Sequence, residues 1–285
     1  MANLRDLRTR INSIKNTKQI TNAMKMVAAA KLRKSQDACI KSRPYSDYVD
    51  KMLRILQKKN NTNPHPMLIS PNPKGKILLV VVTGDRGLCG SFNSSVIRFA
   101  TSYIKQNQEK IFDLFCIGRK AYDAFKRKEN VVKHFYNLAE GIEIEKIHPI
   151  REALLEVYTN GEYYKVEVIY NEFKSAIQQE LVCKQILPVV PSESDDISMI
   201  DFIYEPDETA LIEELCVKYI NVELWRVLLE SNAAEQGARM TAMDNATNNA
   251  SDLIGLLSLQ YNRERQAQIT TEIIEVASGA EAIKQ

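Results

Sequence analysis

The residues best placed to handle a phosphate are TGDRGLCGSFN, positions 83–93. They follow the strand-like run KILLVVV and precede a helical stretch, where a dinucleotide-binding fold holds a pyrophosphate on backbone amides. The spacing argues against that chemistry. Gly84, Gly87 and Gly90 read GxxGxxG, which is neither GxGxxG nor GxxxxGK[ST]. The stretch instead predicts a tight loop that needs positive φ, with Asp85 and Arg86 paired to each other or to a partner protein. No G-x-S-x-G elbow and no HExxH is present. His65, His134 and His148 have no cysteine or second histidine at ligand spacing, so no metal and no cofactor is expected. Cys39, Cys89, Cys116, Cys183 and Cys216 are odd in number, widely spaced and without a CxxC pair, which suits reduced thiols.

The elements that would position these residues alternate. KILLVVV (76–82), IFDLFCI (111–117) and KVEVIYNEF (165–173) read as strands, separated by helical stretches near 93–107, 119–128 and 149–159. That alternation predicts a parallel or mixed sheet with helices against it. ELVCKQILPVV (180–190) reads as a further strand at an edge, because Pro188 cannot donate to a ladder.

Two long helices flank this region. From Ala2 to Arg43 there is no Gly or Pro, and Leu4, Leu7, Ile11 and Ile14 follow a helix seam. The seam is expected to slip in phase and resume as Ile20, Met24 and Val27. Pro44 is expected to end or kink the helix, and 59–76 to be a linker. After Pro206 no proline follows, and Gln236, Met240, Met243, Thr247, Ala250, Ile254, Leu257 and Tyr261 hold a 4,3 alternation. A helix over 207–283 would be roughly 115 Å long at ~1.5 Å per residue. The expected domains are an N-terminal helix over 1–58, an α/β domain over 76–205 and a C-terminal helix over 207–285.

Charge ties the two ends together. Residues 1–60 carry fifteen Lys and Arg against four acids, net +11, and residues 205–285 carry six against fourteen, net −8. Basic and acidic helices suit being neighbours, in either direction. Alanines at 234, 238, 242, 246 and 250 form a shallow i, i+4 ridge that lets another helix approach closely, and the ridge winds around the axis, so more than one neighbour is implied. A pair seamed by Ala, Thr, Gln and Met buries little apolar area. Either the coil is solvated and steadied by its domain, or it is a slender shaft inside a sleeve of other proteins.

LRTRINSIKNTKQITNAMKMVAAAKLRKSQ, GDRGLCGSFN, ARMTAMDNATNNASDLI and YNRERQAQITTEIIEVASGA occur in that order along the chain. Together they resemble the gamma-subunit family of the rotary, proton-driven ATP synthase. The resemblance covers essentially the whole sequence. It implies a long antiparallel coiled coil of N- and C-terminal helices with an inserted Rossmann-like α/β domain, and the role of a central rotor shaft that is not itself an enzyme. The implied partners are a sleeve of alternating alpha and beta subunits, the epsilon subunit and the membrane ring of c subunits, with one copy of this chain per complex. Met24, Arg239, Arg265, Gln266 and Thr270 match the motifs that contact beta subunits, and Arg239 could instead bridge to the basic helix. Asp85, Arg86, Tyr204 and Glu205 lie where the family meets the c ring or epsilon.

Two rival classes stand beside this reading. An α/β enzyme with a helical arm lacks a nucleotide or catalytic signature. A nucleic-acid arm would explain the basic N-terminus but leaves the acidic C-terminal helix without a role, so no nucleic acid is expected. The sequence has no run of 18 apolar residues and so no expected membrane span. Its start lacks a signal-peptide pattern. The expected location is the cytoplasmic face of a bacterial inner membrane, attached only through the complex.

Overall fold

The computed structural model describes residues 4–59, 67–70, 72–137, 142–160, 162–176, 178–189 and 208–283. Two compact units are present: Ala28–Arg239 in one, and Met1–Val27 with Met240–Gln285 in the other. Helices α1 (Leu4–Lys59) and α5 (Glu208–Ile283) each contribute to both.

In the larger unit, all of β1 (Lys76–Val82) except its first residue is buried. A strand that is apolar at every position must be covered on both faces. It is flanked by β2 (Phe112–Ile117) and β4 (Tyr163–Phe173) in a five-stranded sheet of order β3-β2-β1-β4-β5. β3 is Val131–Phe135 and β5 is Gln179–Leu187. The first four strands run parallel and β5 runs antiparallel to β4 at the edge. Strand order reverses between β1 and β4, as in a Rossmann-like half.

Period two along β1 sorts the core. Ile77, Leu79 and Val81 face α2 (Phe92–Gln106) and α3 (Arg119–Phe125), meeting Val96, Ala100, Ala121 and Phe125. Leu78, Val80 and Val82 face the other side, where α4 (His148–Thr159) supplies Ile150 and Leu154. Leu53 and Leu56 of α1 and Tyr219, Ile220 and Val227 of α5 share that core. Between Val227 and Gly237 almost every α5 residue is buried, so this part of the helix has neighbours on all sides.

Three expectations need correction. β3 was not expected, because Lys133 and His134 interrupt the apolar pattern; as an edge strand it tolerates them. Pro44 does not end α1, which runs on to Lys59. It sits on the exposed face, while Ser42 and Ser46 on either side of it are buried. The third concerns the seam of α1.

In the smaller unit that seam does not slip. Leu7, Ile11 and Thr21 are buried, with Ile14, Lys18 and Lys25 half-buried between and beyond them, and Ile20 and Val27 are 60% and 56% exposed. Thr247 Oγ1 meets Thr21 Oγ1 at 2.8 Å, and Lys25 Nζ meets Asp244 Oδ1 at 2.6 Å. These two pairs run in opposite directions along the helices, so the coil is antiparallel. On α5 the 4,3 seam is followed by buried Met243 and Ala250 and half-buried Met240, Thr247, Ile254, Leu257 and Tyr261.

Candidate functional site

The loop after β1 is built by hydrogen bonds inside the larger unit. Asn93, in the first turn of α2, accepts from the Gly84 amide (2.8 Å) and donates to the Arg86 carbonyl (3.1 Å). Asp85 accepts from the amides of Arg119 and Asn137, both at 2.9 Å, tying the loop to the ends of β2 and β3. Two residues adopt left-handed conformations, Leu88 (φ 62) and Gly90 (φ 57). Leu88 carries a side chain there and is 64% exposed.

Helix α5 closes the crevice where a nucleotide would lie. Glu235 Oε2 would lie 2.8 Å from a Cβ placed on Gly84, so Gly84 allows that carboxylate close to the loop. Arg239 donates to Glu235 Oε1 (2.6 Å) and to the Gly87 carbonyl (3.3 Å). The remaining cavity, bordered by Thr83, Gly84, Asp85, Gly118, Tyr136 and Glu235, holds about 40 Å³. Nucleotide-sized ligands need roughly 300 Å³ or more. Two carboxylates at its rim would also repel a phosphate. The loop is a structural junction rather than a phosphate cradle.

A second polar cluster, not anticipated from sequence, joins α1, α5 and the sheet within the same unit. Arg226 donates to Asp47 Oδ1 (2.8 Å), Ser46 Oγ (3.2 Å) and Glu230 Oε1 (3.3 Å). Glu230, 1% exposed, also lies 3.6 Å from Arg43 Nε, and its Oε2 has no hydrogen-bond partner. Lys184 of β5 pairs with buried Glu223. Burial works against the Arg226 charge, but Glu223, Glu230 and Asp47 outweigh it and hold the guanidinium above its ordinary pKa. The signal was the basic N-terminal and acidic C-terminal segments; which charges pair needed the fold.

No thiol is activated. Burial, reinforced by Glu230, pushes Cys39 up to about 12, and burial alone pushes Cys116 to about 12. Among the described residues no cluster of His, Cys, Asp or Glu could hold a metal.

Residues 3–283 match the family model described as ATP synthase. Over 302 aligned residues the chain is 45% identical to the ATP synthase gamma chain of Chloroherpeton thalassium, covering 100% of this chain and 99% of that one. It is 44% identical to the ATP synthase gamma chain of Geobacter sp., with 100% of both covered. The chain belongs to the ATP synthase gamma chain family. Among solved structures it resembles the central stalk of Tetrahymena thermophila mitochondrial ATP synthase, determined with its c-ring (TM-score 0.64, 29% identity, 80% of this chain and 99% of that one). The rotor of Euglena gracilis mitochondrial ATP synthase shares the fold (TM-score 0.67, 22% identity, 93% and 98% covered). No described helix is long and apolar enough to cross a membrane.

Within this gamma-family fold the expected contact residues separate. Met24 is half-buried in the coil, while Arg265, Gln266 and Thr270 are exposed on α5. Thr270 Oγ1 donates to the Gln266 carbonyl (2.9 Å). The Arg239 side chain is 14% exposed and is held by Glu235 and the Gly87 carbonyl, against the β1–α2 loop rather than α1. Both Asp85 oxygens take backbone amides, from Arg119 and Asn137, and Arg86 is exposed. Tyr204 and Glu205 lie outside the described residues. What sequence reasoning missed is a set of exposed apolar side chains, 48–73% exposed: Leu253, Leu256 and Leu259 on the outward side of the coil, and Ile273, Ile274 and Val276 further along α5, where every residue from 265 to 280 is exposed.

Proposed function

We propose that this chain is the central rotor shaft of a proton-translocating ATP synthase, passing rotation of a membrane c ring to the beta-subunit catalytic sites for ATP synthesis and hydrolysis. It performs no catalysis itself. One observation carries the reading: besides the apolar side chains of its seam, α5 exposes a second set of large ones, Leu253, Leu256 and Leu259 on the coil and Ile273, Ile274 and Val276 further on. Full burial of a Leu or Ile is worth about 1.5–3 kcal/mol, so an outward row of them favours a sleeve of protein over water.

The sleeve is the alpha–beta hexamer. Met24, Arg265, Gln266 and Thr270 touch beta subunits, and the α/β domain, the foot between helices 1–58 and 207–285, meets the c ring and epsilon. Arg239 serves the same contact indirectly by positioning the β1–α2 loop, and Asp85, Arg86, Tyr204 and Glu205 belong to the side of the foot that meets those partners. One copy occupies each complex, at the cytoplasmic face of the inner membrane. Rotation can drive the sites only where the shaft contacts their conformations with unequal energy. The exposed leucines and isoleucines of α5 are the groups that would make those contacts unequal.

The test is mechanical. With the hexamer of the whole complex fixed to a surface and a bead attached at Glu109→Cys, an exposed turn position, ATP is expected to turn the bead in one direction. A bead that stays still while ATP is hydrolysed would contradict the reading.

A further inference from the structure

The outer rim of the sheet carries three stacked rings, two of which face solvent. Tyr122 of α3 and His134 of β3 lie with centroids 4.1 Å apart and planes at 25°, and His134 and Tyr136 follow at 5.1 Å and 27°. His134 Nε2 and the Tyr136 hydroxyl share a hydrogen bond of 3.0 Å, and Lys126 Nζ sits 5.4 Å from the Tyr122 centroid. Tyr136 is 43% exposed, and His134 is exposed beside it. The stack therefore forms a ledge anchored on the core through half-buried Tyr122, with His134 and Tyr136 turned to solvent.

The segment that carries the ledge is rich in positive charge. Residues 119–137 contain six Lys and Arg against two acids. Asp123 pairs with Lys126 (2.7 Å) and reaches Arg119 (3.9 Å), and Lys133 reaches Glu156 (3.5 Å). Among the described residues, Lys120, Arg127 and Lys128 have no ion-pair partner.

The backbone adds a third feature. β3 ends the sheet, and among the described residues no strand pairs with its outer side. An open edge takes an extended backbone, an aromatic ledge takes apolar or planar side chains, and surplus cations take carboxylates. Lys133 on the edge discourages a purely apolar strand and suits an acidic one. We propose that the β3 edge and the Tyr122–His134–Tyr136 ledge bind an acidic segment of another protein, added in extended form beside β3. A nucleic acid would use the rings and the charge but leave the edge amides unpaired. This surface goes beyond the rotor reading and does not depend on it.

The experiment places p-benzoylphenylalanine at Tyr136 in the full chain, expressed in its own cells, and identifies what ultraviolet light attaches in the purified assembly. The expected product is a polypeptide segment with net negative charge. The amides of 131–135 should exchange about tenfold more slowly in the assembly than in the free chain. The pair Arg127→Glu and Lys128→Glu should cut the cross-link yield about fivefold or more, as rim charges set encounter. Attachment to lipid, nucleic acid or an uncharged or basic segment, no product, or a yield indifferent to charge reversal would each overturn the proposal. Co-purification of alpha and beta subunits, scored on the same sample, reports separately on the rotor reading.

Discussion

Thr21 and Thr247 meet hydroxyl to hydroxyl at 2.8 Å across the antiparallel coil, at seam positions where a leucine would ordinarily be expected. Thr21 passes its own proton to the Lys18 carbonyl (3.1 Å) and so accepts from Thr247. Thr247 also has the Met243 carbonyl within reach at 2.7 Å. Replacing either threonine by valine should cost about 1 kcal/mol, and the double replacement should cost less than the sum, because both partners become apolar together. Urea unfolding of the four variants followed by circular dichroism checks this; additive costs would show that the hydroxyls do not act as a pair.

Arg226 is the strongest candidate for a large loss of stability. It is the main counterion of Glu230, which is 1% exposed and already has one oxygen unpaired. Arg226→Met should destabilise the chain by about 3–5 kcal/mol, and adding Glu230→Met should recover much of it. The midpoint of urea unfolding is the readout, and a mild effect of the single variant would show that Arg43 alone suffices for Glu230.

Two glycines of α5 should respond differently to alanine. A Cβ on Gly237 would lie 3.0 Å from the Ala176 carbonyl oxygen, whereas a Cβ on Gly255 meets nothing within 4 Å. Helix propensity favours alanine by about 1 kcal/mol. Gly255→Ala should show that gain in thermal unfolding, and Gly237→Ala should lose most or all of it to displacement of the Ala176 backbone.

Alkaline stability follows from the buried thiols. Cys39, Cys116 and Cys216 are each raised from an ordinary value of 9.0 to about 12, all by burial first. Their unfolded forms lose protons before their folded forms do, so the folded chain binds more protons over that interval and stability falls as pH rises from about 9 to 12. The Cys39→Ala, Cys116→Ala, Cys216→Ala variant should show a shallower decline of the urea midpoint with pH. Burial also raises Tyr158 to about 12, which keeps part of the slope. An unchanged slope would show that the thiols do not contribute.

Much of this was legible in the residues. KILLVVV could only be a strand covered on both faces, and the 4,3 row from Met240 to Tyr261 marks the seam of α5. The N-terminal seam was misread for a physical reason. Apolar Ile20 and Val27 were assigned to the interior, yet a paired Thr21 is buried and they are exposed. Residue type cannot separate a side chain that packs inside its own chain from one left outward for another protein. The charged pairs were illegible for a different reason: Arg43 and Glu230, or Arg226 and Asp47, are brought together by the fold across most of the sequence. Arg239 looked like a surface group because its partners, Glu235 and the Gly87 carbonyl, meet it only once α5 lies against the β1–α2 loop.

The central claim is that the coil is a shaft inside a sleeve. The most direct measurement is native mass spectrometry of the assembly that co-elutes when the tagged full chain is purified from its own cells in mild detergent. The account expects one copy of this chain with about three alpha and three beta subunits, each type bound by a single asymmetric shaft. Recovery of the chain alone, or with nucleic acid and without those subunits, would contradict it.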